Sequence, residues 1–401
     1  MRTFFETAEP ISPTLSVPQY LGTLAGKATT VISAEDYGRT IYDLATRRAM
    51  IIIGEDMVNR AYDSSVDSTP QSQIEDTEAR LFEIAEKGRN IRDEISFAEA
   101  SGAAVKSANE AYESQGAARG LSTGYPDLDS RLGRLQKSDL IILAGRPSMG
   151  KTSLATNIAW NVACQGVTVD FRSLEMSAEQ LATRVLSFVA GVASEKVRRG
   201  SCDEREMCAL IEAQRAVEDT PLLIDESGGL SISQLTARAR RTKRKHGTGL
   251  IVLDYLQLMG GSKRARDNRV QEVTEITSGL KALAKELQVP IIALSQLNRG
   301  VEGRDEKRPQ LADLRDSGSI EQDADIVLFV YREEYYVERT QPDLSNHAKH
   351  ADWQQSMQRV AGKAEVIIGK QRHGPTGIVP MAFNSQLMRF DDLSRDAGGH
   401  G

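Results

Sequence analysis

Cysteine is nearly absent from this 401-residue chain. There are three, Cys164, Cys202 and Cys208, and none is spaced as a pair of metal ligands. That excludes a disulfide framework and a thiolate zinc site, and it fits a reducing compartment. Histidine is scarce too, five in all, with no H-x-x-x-H or H-E-x-x-H arrangement, so no protein-built metal centre is expected. No apolar run approaches bilayer-spanning length, and Glu6, Glu9, Pro10 and Pro13 stand where a secretion signal would be apolar. A cytoplasmic protein with no membrane partner is the expectation. A surplus of positive charge is also lacking: the net charge is −6, so contact with a polyanion must come from a local basic surface. Aromatics are only 5%, but 40% of residues are hydrophobic, and the length allows two or three domains with ample core.

What is there falls into four stretches. Residues 1–32 read as irregular, with Pro10, Pro13 and Pro18. From Ser33, a capping residue with Asp36 three positions on, Tyr37, Ile41, Leu44, Ile51, Ile52 and Val58 recur at roughly helical intervals. The polar stretch 63–70 ends that helix. A second, from about Gln71 to Lys87, carries Ile74, Leu81 and Ile84 on one face and is closed by Gly88. Residues 33–94 are therefore expected to form a helical hairpin, which either packs on a copy of itself in a neighbouring subunit or decorates a monomer. Residues 95–120 read as an alanine-rich linker helix and a flexible tether. Over 121–395, short apolar runs at 140–144, 167–171, 221–224, 250–253, 290–294, 326–330 and 365–368 alternate with helical patterns. Near-continuous apolar runs are strands buried on both faces, so this is an α/β domain with a largely parallel sheet. Its ligand belongs at the carboxyl ends of the strands.

One such end carries Gly145, Arg146, Pro147, Ser148, Met149, Gly150, Lys151 and Thr152, the G-x-x-x-x-G-K-[ST] pattern between an apolar run and a helical one that begins with Ser153. Glycines there let backbone N–H groups converge on phosphate at the positive end of a helix. Lys151 would reach the β- and γ-phosphates of a nucleotide such as ATP, and the Thr152 hydroxyl would bind Mg²⁺. The run 250–253 ends on Asp254, placed to hold the same ion through its water shell. Glu175 closes the run Val167 to Leu174, expected next to the phosphate-loop strand. It is either the base that accepts a proton from water or a surface acid before the next helix. Gln296, after 290–295, is placed to sense a γ-phosphate and shift the loop Asn298–Gln322. That loop holds Arg299, Arg304, Lys307, Arg308 and Arg315 and ends in Asp316, Ser317 and Gly318, a composition suited to phosphate-backbone contact or to a solvated loop. Lys370 and Arg372, two apart on an extended segment, can project from one side. They are either fingers onto a neighbouring subunit's γ-phosphate or surface cations of a hairpin. The run Arg238–Lys245 reads as a solvated helix end.

Taken in order and spacing, 145–152, Ser-Leu-Glu-Met at 173–176, Leu-Asp-Tyr-Leu-Gln-Leu-Met at 253–259, Leu-Ser-Gln-Leu-Asn-Arg at 294–299, 313–325 and Gly-Lys-Gln-Arg-His-Gly-Pro-Thr-Gly at 369–377 resemble replicative DNA helicases of the DnaB type. The resemblance is strong over about 121–392 and weaker from about residue 19. It implies a RecA-like P-loop ATPase domain in a ring-shaped homo-hexamer that translocates on single-stranded DNA and unwinds forked duplex 5′-to-3′ with ATP and Mg²⁺. A primase and a helicase loader are the implied partners. It implies Lys151 and Thr152 on phosphate and Mg²⁺, Glu175 as catalytic base, Asp254 as Walker-B acid, Gln296 as sensor, and Lys370 and Arg372 as trans-acting fingers. Arg315, Asp316 and Gly318 fall on the family's DNA-contacting loop, where Asp316 stands in place of the usual Glu. Residues 1–32 resemble only a remnant of the family's amino-terminal domain, which puts the collar and the primase contact through it in question. Two other readings stay open. One is a RecA-fold ATPase of recombination or regulation, which would form filaments or DNA-independent rings. The other is a truncated, non-catalytic subunit that joins a full-length helicase ring.

Overall fold

The computed structural model describes residues 34–62, 69–70, 96–113, 120–259, 269–314, 317–343 and 346–393, with single positions between 17 and 23 and between 73 and 84. Two compact units divide the chain, Met1–Glu99 and Ala100–Gly401. In the first, helix α1 (Ala34–Tyr62) runs beside helical residues of the 70–84 segment. Arg60 donates to Asp76 at 2.7 Å, Gln73 Nε2 donates to the Arg60 carbonyl at 3.0 Å, and Arg80 pairs with Asp56. Ile53 is buried, whereas Tyr37, Ile41, Leu44, Ile51, Ile52 and Val58 are exposed. Together they leave an apolar face exposed along much of the helix. Ser33 and Gly88, the expected cap and stop, lie outside the described residues. Helix α2 (Phe97–Glu113) occupies most of the linker.

The second unit begins with α3 (Pro126–Leu132), β1 (Leu140–Gly145), α4 (Lys151–Cys164) and β2 (Val169–Ser173). Helices α5 (Ala178–Ala190), α6 (Ser194–Arg199) and α7 (Glu204–Val217) lead to β3 (Leu222–Asp225), α8 (Ile232–His246) and β4 (Leu250–Asp254). Then come α9 (Arg269–Leu287), β5 (Ile291–Gln296), α10 (Ser317–Asp323), β6 (Ile326–Tyr331), α11 (Glu333–Glu338) and α12 (His347–Val360). Strands β7 (Lys363–Gln371), β8 (Gly377–Asn384) and β9 (Arg389–Asp392) finish the domain. Ser177 with Gln180 and Ser231 with Gln234 form capping boxes that start α5 and α8.

All nine strands join one sheet in the order β3-β2-β4-β5-β1-β6-β7-β8-β9. The first six are parallel, and β7, β8 and β9 add antiparallel. Successive side chains of a strand point to opposite faces. Ile141 and Leu143 therefore enter the core that includes Leu154 and Ile158 of α4, while Leu140, Ile142 and Ala144 enter the core built with α8 and α9. β1 must be apolar at every position because both its faces are covered.

β2 does not flank β1, contrary to the expectation from chain order: β4 and β5 intervene. The physical reason is written on one face of β2. Asp170 and Arg172 are buried there as a pair (2.7 Å), with Arg172 also bonded to Thr242 and Asp225. A charged face of this kind finds partners near the sheet edge but would meet only the apolar α9 core beside β1. The basic run of α8 is likewise not simply solvated. Arg240 makes two 2.7 Å bonds to Glu286 of α9 and Arg238 reaches Ser227 at 2.7 Å, while the last turn is largely open to solvent.

β1 and β5 are neighbours with Gly145 level with Gln296. Beyond them the chain departs to opposite sides, from β1 into α4 in one core and from β5 toward α10, whose Ile320 lies in the other. That divergence opens a crevice at the carboxyl edge.

Candidate functional site

The crevice is lined by residues 145–153. Gly145 ends β1, and a Cβ there would stand 3.1 Å from Lys151 Cγ and 3.2 Å from the Val330 carbonyl. Pro147 and Ser148 are exposed at the tip, and Ser148 takes a positive φ of 66°. The Ser148 carbonyl accepts from Arg332 Nη1 at 3.4 Å, and the Arg332 guanidinium lies 4.2 Å over the Phe383 ring. Met149 is buried and anchors the turn from beneath. Gly150 has φ +95°, a conformation that favours glycine, and a Cβ on it would crowd the Phe390 ring at 3.0 Å. Lys151 and Thr152 open α4, where backbone N–H groups have no partner within the helix. Ser153 is buried behind them. Arg146 turns away from the crevice: Nε and Nη2 donate to Glu302 Oε1 at 2.9 and 2.7 Å, and Nη1 donates to the Leu297 carbonyl at 2.9 Å.

Lys151 Nζ donates to the Ser295 carbonyl at 3.1 Å, next to Gln296 at the end of β5. Burial pushes its pKa down to about 8, against the opposing charges of Asp254 and Glu175. A partly desolvated cation of this kind gains from an incoming anion. Asp254 ends β4 and is buried. Burial pushes its carboxyl above the usual range, and bonding from Thr152 and the Lys151 charge pull the other way. Its Oδ2 is buried without a hydrogen-bond partner. Ser173 is level with Asp254, so Glu175, in the turn past the end of β2, lies beyond Asp254 at the mouth of the crevice and is exposed. It stands after the strand rather than closing it.

Two residues here escaped the sequence reading. Arg184 of α5 faces Asp254 and Glu175, whose charges oppose the lowering of its pKa by burial. The available signal was its place three residues after buried Leu181 and next to buried Val185, a cation on an otherwise apolar stripe. Gln257 ties the ends of β4 and β5 together, with Nε2 donating to Ser295 Oγ at 2.9 Å and Oε1 accepting from the Gln296 N–H at 3.3 Å.

Lys370 and Arg372 lie elsewhere. Lys370 pairs in register with Val327, and Val327 with Ile142, so the pair sits toward the amino edge of the parallel strands. Lys370 Nζ donates to the carbonyls of Glu321 and, at 2.8 Å, Ala324. Arg372 Nη2 donates to the Gln322 carbonyl at 3.0 Å, and Nη1 lies 3.3 Å from Asp325. Both cations meet the carboxyl end of α10, where exposed carbonyls favour positive charge. Gly318 is exposed in the first turn of that helix; Arg315 and Asp316, just before it, lie outside the described residues. The other cations of the preceding loop are largely spent internally. Arg304 donates to Asp313 at 2.6 Å, Arg308 makes two 2.8 Å bonds to Glu365, and Lys307 lies over the Tyr336 ring.

Residues 120–392 match the family described as the DnaB-like helicase C terminal domain. The replicative DNA helicase DnaB of Rickettsia bellii is 46% identical over 390 residues, covering 94% of this chain and 78% of that protein. The replicative DNA helicase DnaC of Bacillus subtilis is 37% identical over 392 residues, covering 94% and 80%. Among solved structures, an isolated ATPase domain is 34% identical with a TM-score of 0.65, covering 75% of this chain and all of that one. A DnaB-like replicative helicase, described with its interactions with primase, is 30% identical with a TM-score of 0.69, covering 94% and 84%.

Proposed function

The chain belongs to the DnaB-like replicative DNA helicases, ATP-dependent hydrolases, and from that premise we propose that it works as a homo-hexameric ring whose ATP sites are completed between neighbours. The ring moves along single-stranded DNA and unwinds 5′-to-3′. The observation that carries this reading is the separation within one chain of the phosphate loop from Lys370 and Arg372. Along β1, Gly145 is four residues past Ile141, which lies level with Ile326 and Gln371. At about 3.3 Å per residue and about 4.8 Å between strands, roughly 16 Å separates the two regions, too far for the fingers to serve their own site. Serving the next one would draw them from the carbonyls at the end of α10 and from Asp325, which they meet in their own chain. The exposed apolar residues of α1 offer a surface for a neighbouring copy of the hairpin. Arg315, Asp316 and Gly318 contact the DNA backbone.

The residues fit a nucleotide with Mg²⁺. The orphaned Oδ2 of Asp254 beside Thr152 suits one hydrated cation, and no group of three or more metal-ligating side chains occurs among the described residues. Thr152 and Asp254 would hold Mg²⁺, which neutralises charge on the β- and γ-phosphates when bound. The loop N–H groups and Lys151 orient the phosphates. Glu175 accepts the proton of the attacking water, Arg184 holds Glu175 and Asp254 in place, and Gln296 senses the γ-phosphate. A primase and a loader are proposed partners in the cytoplasm.

The test is native mass and hydrolysis on the purified full-length protein with Mg²⁺ and ATP. A hexamer whose hydrolysis accelerates several-fold on single-stranded DNA is expected. A filament, a DNA-independent ring, or a chain that turns over only when mixed with a full-length helicase would overturn the reading.

Lys151 adds a pH prediction. In the free protein its pKa is about 8, and a bound polyphosphate raises it. Binding therefore takes up protons where free Lys151 is deprotonated, and affinity falls as pH rises through 8. Calorimetry just above that pH, in two buffers of different ionisation enthalpy, should report net proton uptake; proton release would contradict the burial of Lys151.

A further inference from the structure

Glu302 belongs to none of the motifs, yet it holds the phosphate loop from outside. It lies in the 3₁₀ turn Arg299–Gly303, whose start is capped by Asn298 Oδ1 accepting from the Gly300 N–H at 3.3 Å and whose Val301 is fully buried. Its side chain is 45% exposed, but the arginine it accepts from is only 8% exposed. Two donors of Arg146 converge on one Glu302 oxygen and a third ends on the Leu297 carbonyl, so the second residue of the phosphate loop is clamped to the segment after β5.

That segment is tied down as far as residue 314. Leu297 and Leu314 form an antiparallel bridge, and both are buried in the α9-side core. The Asn298 N–H donates to the Asp313 carbonyl at 2.8 Å. The Asp313 carboxylate accepts from Arg304 at 2.6 Å and from the Gln310 N–H at 2.8 Å. The residue after Leu314 is Arg315. A continuous set of bonds thus runs from the edge of the DNA-contacting turn, through Leu314, Asp313 and Arg304, to residues 297–302 and on to Arg146. Charge-assisted bonds to a nearly dry guanidinium are among the stronger ones available for such a link.

We propose that Glu302 is a positioning residue: through Arg146 it passes engagement of DNA at 315–318 to the phosphate loop of the same chain. The proposal rests on the reading of 315–318 as the DNA contact. Glu302 touches neither nucleotide nor reacting atoms in this role. It fixes where Gly145–Lys151 stands relative to the chain that leads into residues 315–318.

The experiment compares full-length protein, Glu302→Gln and Glu302→Asp, with Arg315→Ala as control. Hydrolysis is measured with and without single-stranded DNA, and DNA affinity with a non-hydrolysable ATP analogue. Glu302→Gln keeps the size of the side chain and removes the charge. It should hydrolyse at nearly the normal rate without DNA, bind DNA normally, and lose roughly two- to threefold of its several-fold acceleration by DNA, within the range expected of a coupling contact. Glu302→Asp, charged but one methylene shorter, should recover part of that acceleration, and it serves as the variant of record if the glutamine form does not fold. Acceleration unchanged in Glu302→Gln, or basal and DNA-driven rates falling in parallel, would overturn the role of Glu302. If Arg315→Ala keeps full DNA affinity, the DNA-turn reading itself fails, which the Glu302 variants alone would not reveal.

Discussion

Replacing Arg372 by alanine is expected to lower DNA-stimulated ATP hydrolysis by roughly 10³- to 10⁵-fold, the range for loss of an arginine finger, while nucleotide binding stays close to normal. The size follows from where the charge is needed. Phosphoryl transfer leaves little covalent work to the protein, so cations placed against the charge that develops on the transferring group carry much of the acceleration. Within its own chain Arg372 bonds to the Gln322 carbonyl and Asp325 at the far edge of the sheet from Gly145, so its removal leaves the resident phosphate loop untouched. Equilibrium binding of a fluorescent nucleotide separates the two effects. A variant that binds weakly and hydrolyses what it binds at the normal rate would show that Arg372 belongs to a binding surface and not to a finger. Its bonds to the end of α10 are local, so a small shift in melting temperature is expected beside the large catalytic loss.

The second large effect lies at Lys151. Lys151→Ala should abolish DNA-stimulated hydrolysis and unwinding, a loss of at least two to three orders of magnitude by comparison with removal of a preorganised charge elsewhere. Lys151 is a half-buried cation whose Nζ donates to the Ser295 carbonyl and lies 5.6 Å from the Tyr255 ring centroid, with its pKa pushed down to about 8. A partly desolvated cation gains from a phosphate placed beside it, so its contribution appears on binding and on hydrolysis. Removing it should leave the fold intact or slightly firmer, because the desolvation cost goes with it. Unwinding of a forked duplex is the readout, and undiminished unwinding by Lys151→Ala would end the assignment.

The parallel half of the sheet was legible because strands covered on both faces must be apolar at every position, and β1, β4 and β5 are. The phosphate loop and Asp254 were legible for a related reason: their chemistry requires a strand end followed by glycine or acid. β8 and β9 were not, because an outer antiparallel strand is covered on one face only. Exposed Ile378 and Pro380 alternate with buried Val379 and Met381, which reads as loop beside a proline. Strand order was not legible either. Chain order put β2 beside β1, and only the buried pair Asp170–Arg172 explains why it lies toward the edge. The cations of 299–308 were read by type as suited to phosphate-backbone contact or to a solvated loop, whereas Arg304 and Arg308 found Asp313 and Glu365, partners 9 and 57 residues away along the chain. Arg184 was missed because a lone arginine on an apolar stripe carries no motif; what marks it is the pair of carboxylates it faces.

In the proposed ring, where the phosphate loop and the finger strand of one chain serve different sites, a defective copy would harm its neighbours as well as itself. A cell carrying an Arg372→Ala allele beside the intact gene would assemble mixed rings, each with a dead boundary next to a sound subunit. Such an allele should be dominant, poisoning replication even when normal protein is abundant. A lesion that stops the core from folding keeps the chain out of rings altogether and should be recessive. The pattern of inheritance at this locus would then follow from which edge of the sheet a mutation strikes.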